Sequence, residues 1–85
     1  MAYHLYMLRC ADGTLYTGIT TDIARRLREH NEGASGAKYT RARRPVELVY
    51  ARRYRDRSFA SVAEARVKRL TRANKLLLAL RTNKG

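Results

Sequence analysis

Apolar and polar positions along the chain predict a small sheet followed and interrupted by helices. Three segments have the pattern of strands: residues 3–10, 15–20 and 46–54. The first is apolar and aromatic on both faces, which is typical of a strand that is covered on both sides. In the third, strict alternation places Val46, Leu48 and Tyr50 on one face. Neither a repeat nor a linker interrupts the pattern, so we expect one domain over residues 1–85.

The connection between the first two strands decides which side chains share a face. An Asp-Gly dipeptide ending at Gly13 marks the turn. A two-residue turn there would place Tyr6 and Tyr16 on opposite faces of the sheet. A three-residue loop would pair Tyr6 with Gly18 and place both tyrosines on one face, and it needs a left-handed residue at Gly13. The pattern itself leaves both loops open.

The next segment predicts a helix capped by Thr21 or Asp22 that ends near Asn31, just before a glycine. At 100° per residue, Arg26 and His30 fall on the same side as the apolar Ile23 and Leu27, whereas Arg25, Arg28 and Glu29 fall on the solvent side. Two interpretations stay open for this side. Arg26 lies at the edge of the core beside a core histidine, or both residues point into a pocket.

Residues 32–45 are rich in Gly, Ser and Arg and predict a mobile basic loop. A second helix is expected to begin at Ser58 or Ser61, and a short last helix to follow a break at Asn74. The buried stripe of the second helix is predicted from residues at helical spacing: Phe59, Ala63, Val67 and Leu70.

Glu64, on the flank of that stripe, has three possible roles. It completes a capping box with Ser61, it forms an ion pair with Lys68 one turn later, or it binds a divalent metal.

Charge narrows the class of partner. Lys and Arg number 19 against seven Asp and Glu, and the net charge is +12. Fifteen of the basic residues are Arg, whose planar guanidinium contacts phosphate with two hydrogen bonds, so we expect a nucleic-acid partner. A single cysteine, Cys10, excludes an internal disulfide framework. No apolar run has the length of a membrane span, and the N-terminus lacks the pattern of a signal peptide, which predicts a cytoplasmic protein with no membrane partner.

Several short motifs, taken in order, resemble one known family. His4-Leu5-Tyr6 and Tyr16-Thr17-Gly18 are similar to the paired signature of the GIY-YIG nuclease superfamily, and Arg26, His30 and Glu64 follow at the family's spacing. The run from Tyr16 to His30 is especially similar to the small stand-alone bacterial YhbQ-like members, and so are the segments 36–40 and 45–46 and the later Lys68 and Lys75. Ile19 stands where some branches of the family carry a lysine. This leaves His30 as the residue available to assist the reaction in place of that lysine.

The resemblance implies an α/β fold, a three-stranded antiparallel sheet flanked by helices, and it favours the three-residue hairpin loop. It implies a site on one face of the sheet, with space for a phosphate above Gly18. The catalytic residues carried over are Tyr6, Tyr16, Arg26, His30 and Glu64.

The implied activity is metal-dependent hydrolysis of phosphodiester bonds, with DNA favoured over RNA. Glu64 would hold Mg²⁺ or Mn²⁺, Arg26 would contact a phosphate oxygen, and a tyrosine or His30 would take the proton of the attacking water. Which tyrosine acts as base stays open.

We expect nucleic acid to be bound mainly by basic residues and one aromatic residue: Lys38, Tyr39, Arg41, Arg43, Arg44, Lys68 and Lys75. Two alternative functions do not require the five catalytic residues. A basic nucleic-acid-binding module without turnover needs only the charge and the loop, and an accessory protein of a ribosome or nucleoid needs only the charge.

Overall fold

Three antiparallel strands form a sheet in the order β2-β1-β3 in the computed structural model, which describes residues 2–33 and 36–83. The strands are β1 (Tyr3–Arg9), β2 (Leu15–Thr20) and β3 (Glu47–Tyr54). The helices are α1 (Ile23–Glu32), α2 (Lys38–Arg41), α3 (Arg57–Lys68) and α4 (Arg72–Asn83). The expected α/β architecture is confirmed. None of the helices in these two described ranges is long and apolar enough to cross a bilayer.

The hairpin between β1 and β2 uses the three-residue loop. Gly13 has φ +84°, and its N–H donates to the carbonyl of Cys10 at 2.9 Å. Tyr6 pairs with Gly18, and Tyr16 pairs with Leu8, the second residue after Tyr6. Because side chains alternate along a strand, Tyr6 and Tyr16 therefore lie on the same face of the sheet.

The ring of Tyr6 packs where a side chain at position 18 would lie. A Cβ atom added to Gly18 would lie 2.7 Å from the Tyr6 hydroxyl oxygen and 2.9 Å from Cζ. The ring therefore crosses β2, an edge strand of the sheet, at the residue that has no side chain. The expectation that this space would admit a phosphate is wrong, because the ring of Tyr6 occupies it.

The core is divided between the two faces of the sheet. On one face, Leu5, Met7 and Tyr50 pack with Val67 of α3, and α4 packs against β3. On the other face, Tyr6, Leu8, Cys10 and Val46 form a second buried cluster, against which Tyr16 and Leu27 of α1 pack. The face that carries the tyrosines is thus part of the core as well as the candidate site.

A β-bulge changes which residues of β3 face each cluster. Leu48 pairs with Leu8 but Tyr50 pairs with Met7, so one extra residue of β3 lies between the two pairs. The prediction that Val46, Leu48 and Tyr50 share one face is therefore wrong for Tyr50, which belongs to the cluster on the opposite face from Val46.

The first helix begins and ends close to where its capping residues predict. The Asp22 carboxylate accepts a hydrogen bond from the N–H of Arg25 at 3.0 Å, which identifies Asp22 as the N-cap. The N–H of Gly33 closes the C-terminus by donating to the carbonyl of Glu29. The helix is one residue longer than expected and ends at Glu32.

The second long helix begins earlier than predicted. Its N-cap is Asp56, whose carboxylate accepts from the N–H of Phe59 at 3.0 Å, so neither Ser58 nor Ser61 caps α3. A carboxylate and a serine hydroxyl are comparable caps, and the aspartate lies further upstream. Ser61 lies inside the helix, and this excludes the proposed capping box with Glu64.

The predicted stripe of α3 and the predicted break after it also need correction. Val67 is buried, but Phe59 is 50% exposed and Leu70 is 36% exposed. The residue that faces the core in the first turns is Ala60, which is fully buried. The chain breaks between α3 and α4 at residues 69–71, and Asn74 lies within the first turn of α4.

The close approach of Tyr6 to Gly18 can be tested with Gly18→Ala. The added methyl group must displace a ring that is itself buried, so we expect the free energy of unfolding to fall by about 1–3 kcal/mol. NMR spectra should show shifted ring resonances of Tyr6.

Gly13→Ala is the matched control, since its cost comes from the positive φ and should leave the Tyr6 ring in place. An unchanged Tyr6 spectrum in Gly18→Ala would contradict the packing described here.

Candidate active site

Three buried or half-buried rings meet on the face of the sheet that α1 covers. The centroid of the His30 ring lies 5.8 Å from that of Tyr6 and 5.1 Å from that of Tyr16, and the two tyrosine rings are 6.4 Å apart. Tyr39, in α2, stacks on Tyr16 with 6.0 Å between centroids. The register of the hairpin supplies the first two rings, and the apolar side of α1 supplies the histidine.

Hydrogen bonds join Tyr6, His30 and Thr40 into a chain. The Tyr6 hydroxyl lies 2.8 Å from His30 Nε2, and His30 Nδ1 lies 2.7 Å from Thr40 Oγ1. Tyr6 is 2% exposed, and the other two residues are fully buried. The contact of Thr40 was not predicted. A polar residue within a polar segment carries no signal that it contacts a helix residue ten positions earlier.

Burial favours the neutral forms of Tyr6 and His30, the two ionisable groups that this chain of hydrogen bonds joins. Loss of solvent raises the pKa of Tyr6 to about 12, against a hydrogen bond from Arg26 that lowers it. Loss of solvent, together with the positive charges of Arg26 and Arg44, lowers the pKa of His30 to about 4. The pair therefore exists as a phenol and a neutral imidazole.

Arg26 is turned toward the tyrosines rather than toward bulk solvent. Its guanidinium forms an ion pair with Glu29 at 2.9 Å and a hydrogen bond with the Tyr6 hydroxyl. Its side chain is 25% exposed, against 54% for Arg25 one residue earlier. Glu29, assigned to the solvent side by the helical projection, lies close enough to hold the guanidinium of Arg26 in place.

Glu64 lies on α3, on the other side of the sheet from His30 and Arg26. Helix α3 packs on the opposite face but contacts β2, the edge strand that the Tyr6 ring crosses. The negative charge of Glu64 raises the pKa of Tyr6, so the carboxylate lies within electrostatic range of it. The expected ion pair with Lys68 is present, with 3.3 Å between Nζ and Oε2.

The chemistry of the carboxylates limits the kind of metal site. Across residues 2–33 and 36–83, no three His, Cys, Asp or Glu side chains come together as a ligand cluster. A cation at Glu64 would therefore take its remaining ligands from water and from a phosphate. That donor set fits Mg²⁺, which keeps several waters and binds proteins through one or two carboxylates.

The segment expected to be a mobile basic loop contains a short helix and two structural arginines. Arg44 donates from Nε to the carbonyl of His30 at 2.6 Å, and from Nη2 to the carbonyls of Gly33 and Glu29 at 2.7 and 3.3 Å. Its guanidinium thereby satisfies the C-terminal carbonyls of α1. The role in phosphate binding predicted for Arg44 competes with these three bonds.

Arg43 is held in a similar way. It forms an ion pair with Asp12 at 3.0 Å, donates to the carbonyl of Tyr39 at 2.9 Å, and lies over the Tyr39 ring. Lys38 and Arg41 are exposed on α2. The other two predicted nucleic-acid contacts lie on the later helices: Lys68 is bound to Glu64, and Lys75 is half-buried in α4, which packs against β3.

Comparison with known proteins identifies the family. A model of the GIY-YIG catalytic domain matches residues 2–76. The chain belongs to the GIY-YIG family. The UPF0213 protein DP2720 of Desulfotalea psychrophila is 56% identical over 84 residues, which cover 99% of this chain and 76% of that protein. The UPF0213 protein VNG_2274C of Halobacterium salinarum is 51% identical over 86% of this chain and 94% of its own length.

A solved structure supports the same assignment. The NMR structure of the UPF0213 protein BH0048 from Bacillus halodurans is 41% identical, covers 96% of this chain and 87% of its own, and superposes with a TM-score of 0.60. The resemblance to small stand-alone GIY-YIG proteins is thus confirmed for the family and for the fold.

The structural role of Arg44 in this GIY-YIG domain predicts that Arg44→Ala is destabilising. Three hydrogen bonds from a charged donor to the end of α1 are lost, so the free energy of unfolding should fall by about 2–3 kcal/mol. Lys38→Ala, which removes an equal charge from an exposed position, should change it by less than about 0.5 kcal/mol. Equal, small effects in urea denaturation would contradict the structural role.

The pKa of His30 predicts a loss of stability in weak acid. The pKa is near 6.5 in the unfolded chain and about 4 in the folded one, so the unfolded state binds more protons in between. Stability is therefore complete above pH 6.5 and declines as the pH falls toward 4. Between pH 7 and 5, the free energy of unfolding should fall by about 1–2 kcal/mol.

The carboxylates whose pKa values are lowered, Asp12 and Glu29, remain ionised in this range and add little to that decline. His30→Gln should flatten the decline between pH 7 and 5 even if it lowers stability throughout. A decline of the same slope in His30→Gln would assign it to another group.

Proposed function

We propose that this GIY-YIG domain is a metal-dependent nuclease that hydrolyses phosphodiester bonds, with DNA favoured over RNA. The observation that carries the proposal is the Tyr6 hydroxyl, which is joined at once to a neutral histidine, a guanidinium and, electrostatically, a carboxylate from α3. A structural tyrosine in a core needs one hydrogen-bond partner. Three chemically different side chains, an imidazole, a guanidinium and a carboxylate, around two tyrosines support a site for proton transfer and anion binding.

Arg26 is assigned to the phosphate. Its side chain is partly exposed while Glu29 fixes its orientation, so it is held ready to contact an incoming non-bridging oxygen. Negative charge on that oxygen grows as the nucleophile attacks, and a positioned cation stabilises the transition state more than the ground state.

The two tyrosines are assigned different roles. A pKa of about 12 leaves almost no phenolate at neutral pH, which makes Tyr6 a poor base, so we assign it to positioning Arg26 while its own proton is held by His30. Tyr16 is half-buried and touches both rings, and it is the tyrosine open to an attacking water. We assign Tyr16 to orienting that water for attack.

Glu64 is assigned as the metal ligand. Lys68 contacts Oε2, and a divalent cation would compete with that ion pair for the carboxylate. Bound there, Mg²⁺ or Mn²⁺ would supply positive charge for the leaving oxygen. The electrostatic effect of Glu64 on Tyr6 supports a role for this charge near the phosphate that Arg26 would hold.

The rest of the nucleic acid would lie across the exposed basic surface next to the site. Lys38 and Arg41 on α2 and Arg28 on α1 are exposed, and Tyr39, 39% exposed, offers part of an aromatic ring to a base. With a net charge of +12, the whole domain attracts a polyanion before any specific contact forms.

Glu64→Gln tests the nuclease directly. The change keeps the shape of the side chain and removes the charge that would hold the cation, so cleavage should fall by roughly 10²–10⁴-fold, and chelation of the metal should have the same effect on the wild type. Binding should persist or tighten, because a negative charge leaves a surface intended for phosphate. Cleavage and binding are measured on single-stranded, duplex and branched DNA and on RNA.

Two arginine variants provide the matched comparison. Arg26→Ala should lose turnover like Glu64→Gln and should also weaken binding, whereas Arg25→Ala, one residue away and solvent-facing, should leave turnover within a few-fold of the wild type. Undiminished metal-dependent cleavage in Glu64→Gln would refute the assignment of the carboxylate. Tight binding with no cleavage of any substrate would instead identify a nucleic-acid-binding module.

A further inference from the structure

We propose that Thr40 is a positioning residue: it holds His30 in the tautomer that is protonated on Nδ1, so that Nε2 accepts the proton of the Tyr6 hydroxyl. The assignment of the tautomer stands on the hydrogen-bond partners of Tyr6, His30 and Thr40. Its consequence for catalysis rests on the proposed nuclease function.

The protons around Tyr6 can be placed by elimination. Arg26 hydrogen bonds to the Tyr6 hydroxyl, and a guanidinium can only donate, so the phenolic oxygen is the acceptor in that bond. The hydroxyl's own proton then needs an acceptor of its own. His30 Nε2, at 2.8 Å, provides one only if it carries no proton.

The contacts of Thr40 fit the same tautomer. Thr40 Oγ1 lies 3.0 Å from the carbonyl of Ala37, which can only accept, and a hydroxyl proton directed there leaves Oγ1 as an acceptor. The contact of 2.7 Å between Oγ1 and His30 Nδ1 is then donated by the ring, so Nδ1 carries the proton in this arrangement. A neutral imidazole has one N–H, and Nε2 is left as the acceptor that Tyr6 requires.

The opposite tautomer would leave the Tyr6 proton without the acceptor that His30 supplies. In the described part of the chain, one buried side-chain polar atom has no partner, and it is Thr17 Oγ1 on the opposite face. The Tyr6–His30–Thr40 chain is therefore fully paired. The neutral state of the ring agrees with its complete burial and with the two guanidinium groups, Arg26 and Arg44, that oppose protonation. Glu29 favours protonation, with an effect smaller than that of Arg26 and larger than that of Arg44.

Thr40 would thus do for His30 what an orienting group does for a catalytic histidine: it fixes the ring and selects which nitrogen faces the reacting side. Without it, the ring could rotate or exchange tautomers, and Tyr6 would lose the acceptor that keeps its oxygen lone pairs directed at Arg26. We therefore expect loss of Thr40 to act on turnover rather than on substrate affinity.

The test is the tautomer of His30 in the ¹⁵N-labelled full chain at pH 7, read from the ¹⁵N shifts and long-range couplings of its ring by NMR. In the wild type, Nδ1 should have the shift of a protonated ring nitrogen and Nε2 that of an unprotonated one. Thr40→Val, which keeps the shape and removes the hydroxyl, should shift the ring toward the other tautomer or a mixture. Thr40→Ser should restore the wild-type spectrum.

Cleavage assays on the same variants test the catalytic consequence. Thr40→Val should lower kcat by about ten- to a hundredfold with KM nearly unchanged, and Thr40→Ser should recover it. A wild-type ring protonated on Nε2 would overturn the proposal, and so would an unchanged tautomer in Thr40→Val. A switched tautomer with unchanged kcat would overturn the positioning role.

The NMR spectra decide the tautomer even if a variant does not fold or the wild type shows no cleavage. If Thr40→Val does not fold, the wild-type and Thr40→Ser spectra still decide the tautomer. If the wild type cleaves no nucleic acid, the proposed nuclease function fails, while the spectra still show whether Thr40 controls His30.

Discussion

The register of one hairpin determines almost everything about the site. Because Gly13 takes a positive φ, the loop has three residues, and Tyr6 pairs with Gly18. A shift of one residue would turn Tyr6 to the opposite face. The pairing also lets the Tyr6 ring cross the edge strand, which brings its hydroxyl to His30 on one face and within range of Glu64, carried by a helix on the other.

In so small a domain the site cannot be separated from the core. Tyr6 belongs to the buried cluster on its face, and His30 and Thr40 are fully buried beside it. Each polar group left unpaired there would cost about 1–3 kcal/mol, a large part of the stability typical of a single domain. An incomplete hydrogen-bond chain would therefore lower stability considerably, and changes that alter its chemistry will also alter stability.

Local signals predicted where most elements lie but not every boundary, and longer-range pairing accounts for further errors. The sequence marks the turn at Gly13 without deciding the length of its loop, it offers Asp22 as one of two caps, and it missed the cap of α3 at Asp56. The bulge that separates Tyr50 from Val46 depends on how β3 meets β1, which alternation along one strand cannot reveal. The grouping of the five candidate residues came from a family pattern, and the sequence held no comparable signal for Thr40, whose contact depends on how α2 packs against α1.

The arginines have different roles, which composition alone cannot show. A count of charges treats Arg44 and Arg41 alike, yet the donors of Arg44 match three carbonyls at the end of α1, so hydrogen-bond geometry decides its role. A structural arginine keeps its charge, however. Arg44 helps to keep His30 neutral and still adds to the field that attracts a polyanion. The excess of arginine thus serves folding, the protonation state of the site and the attraction of a polyanion at once.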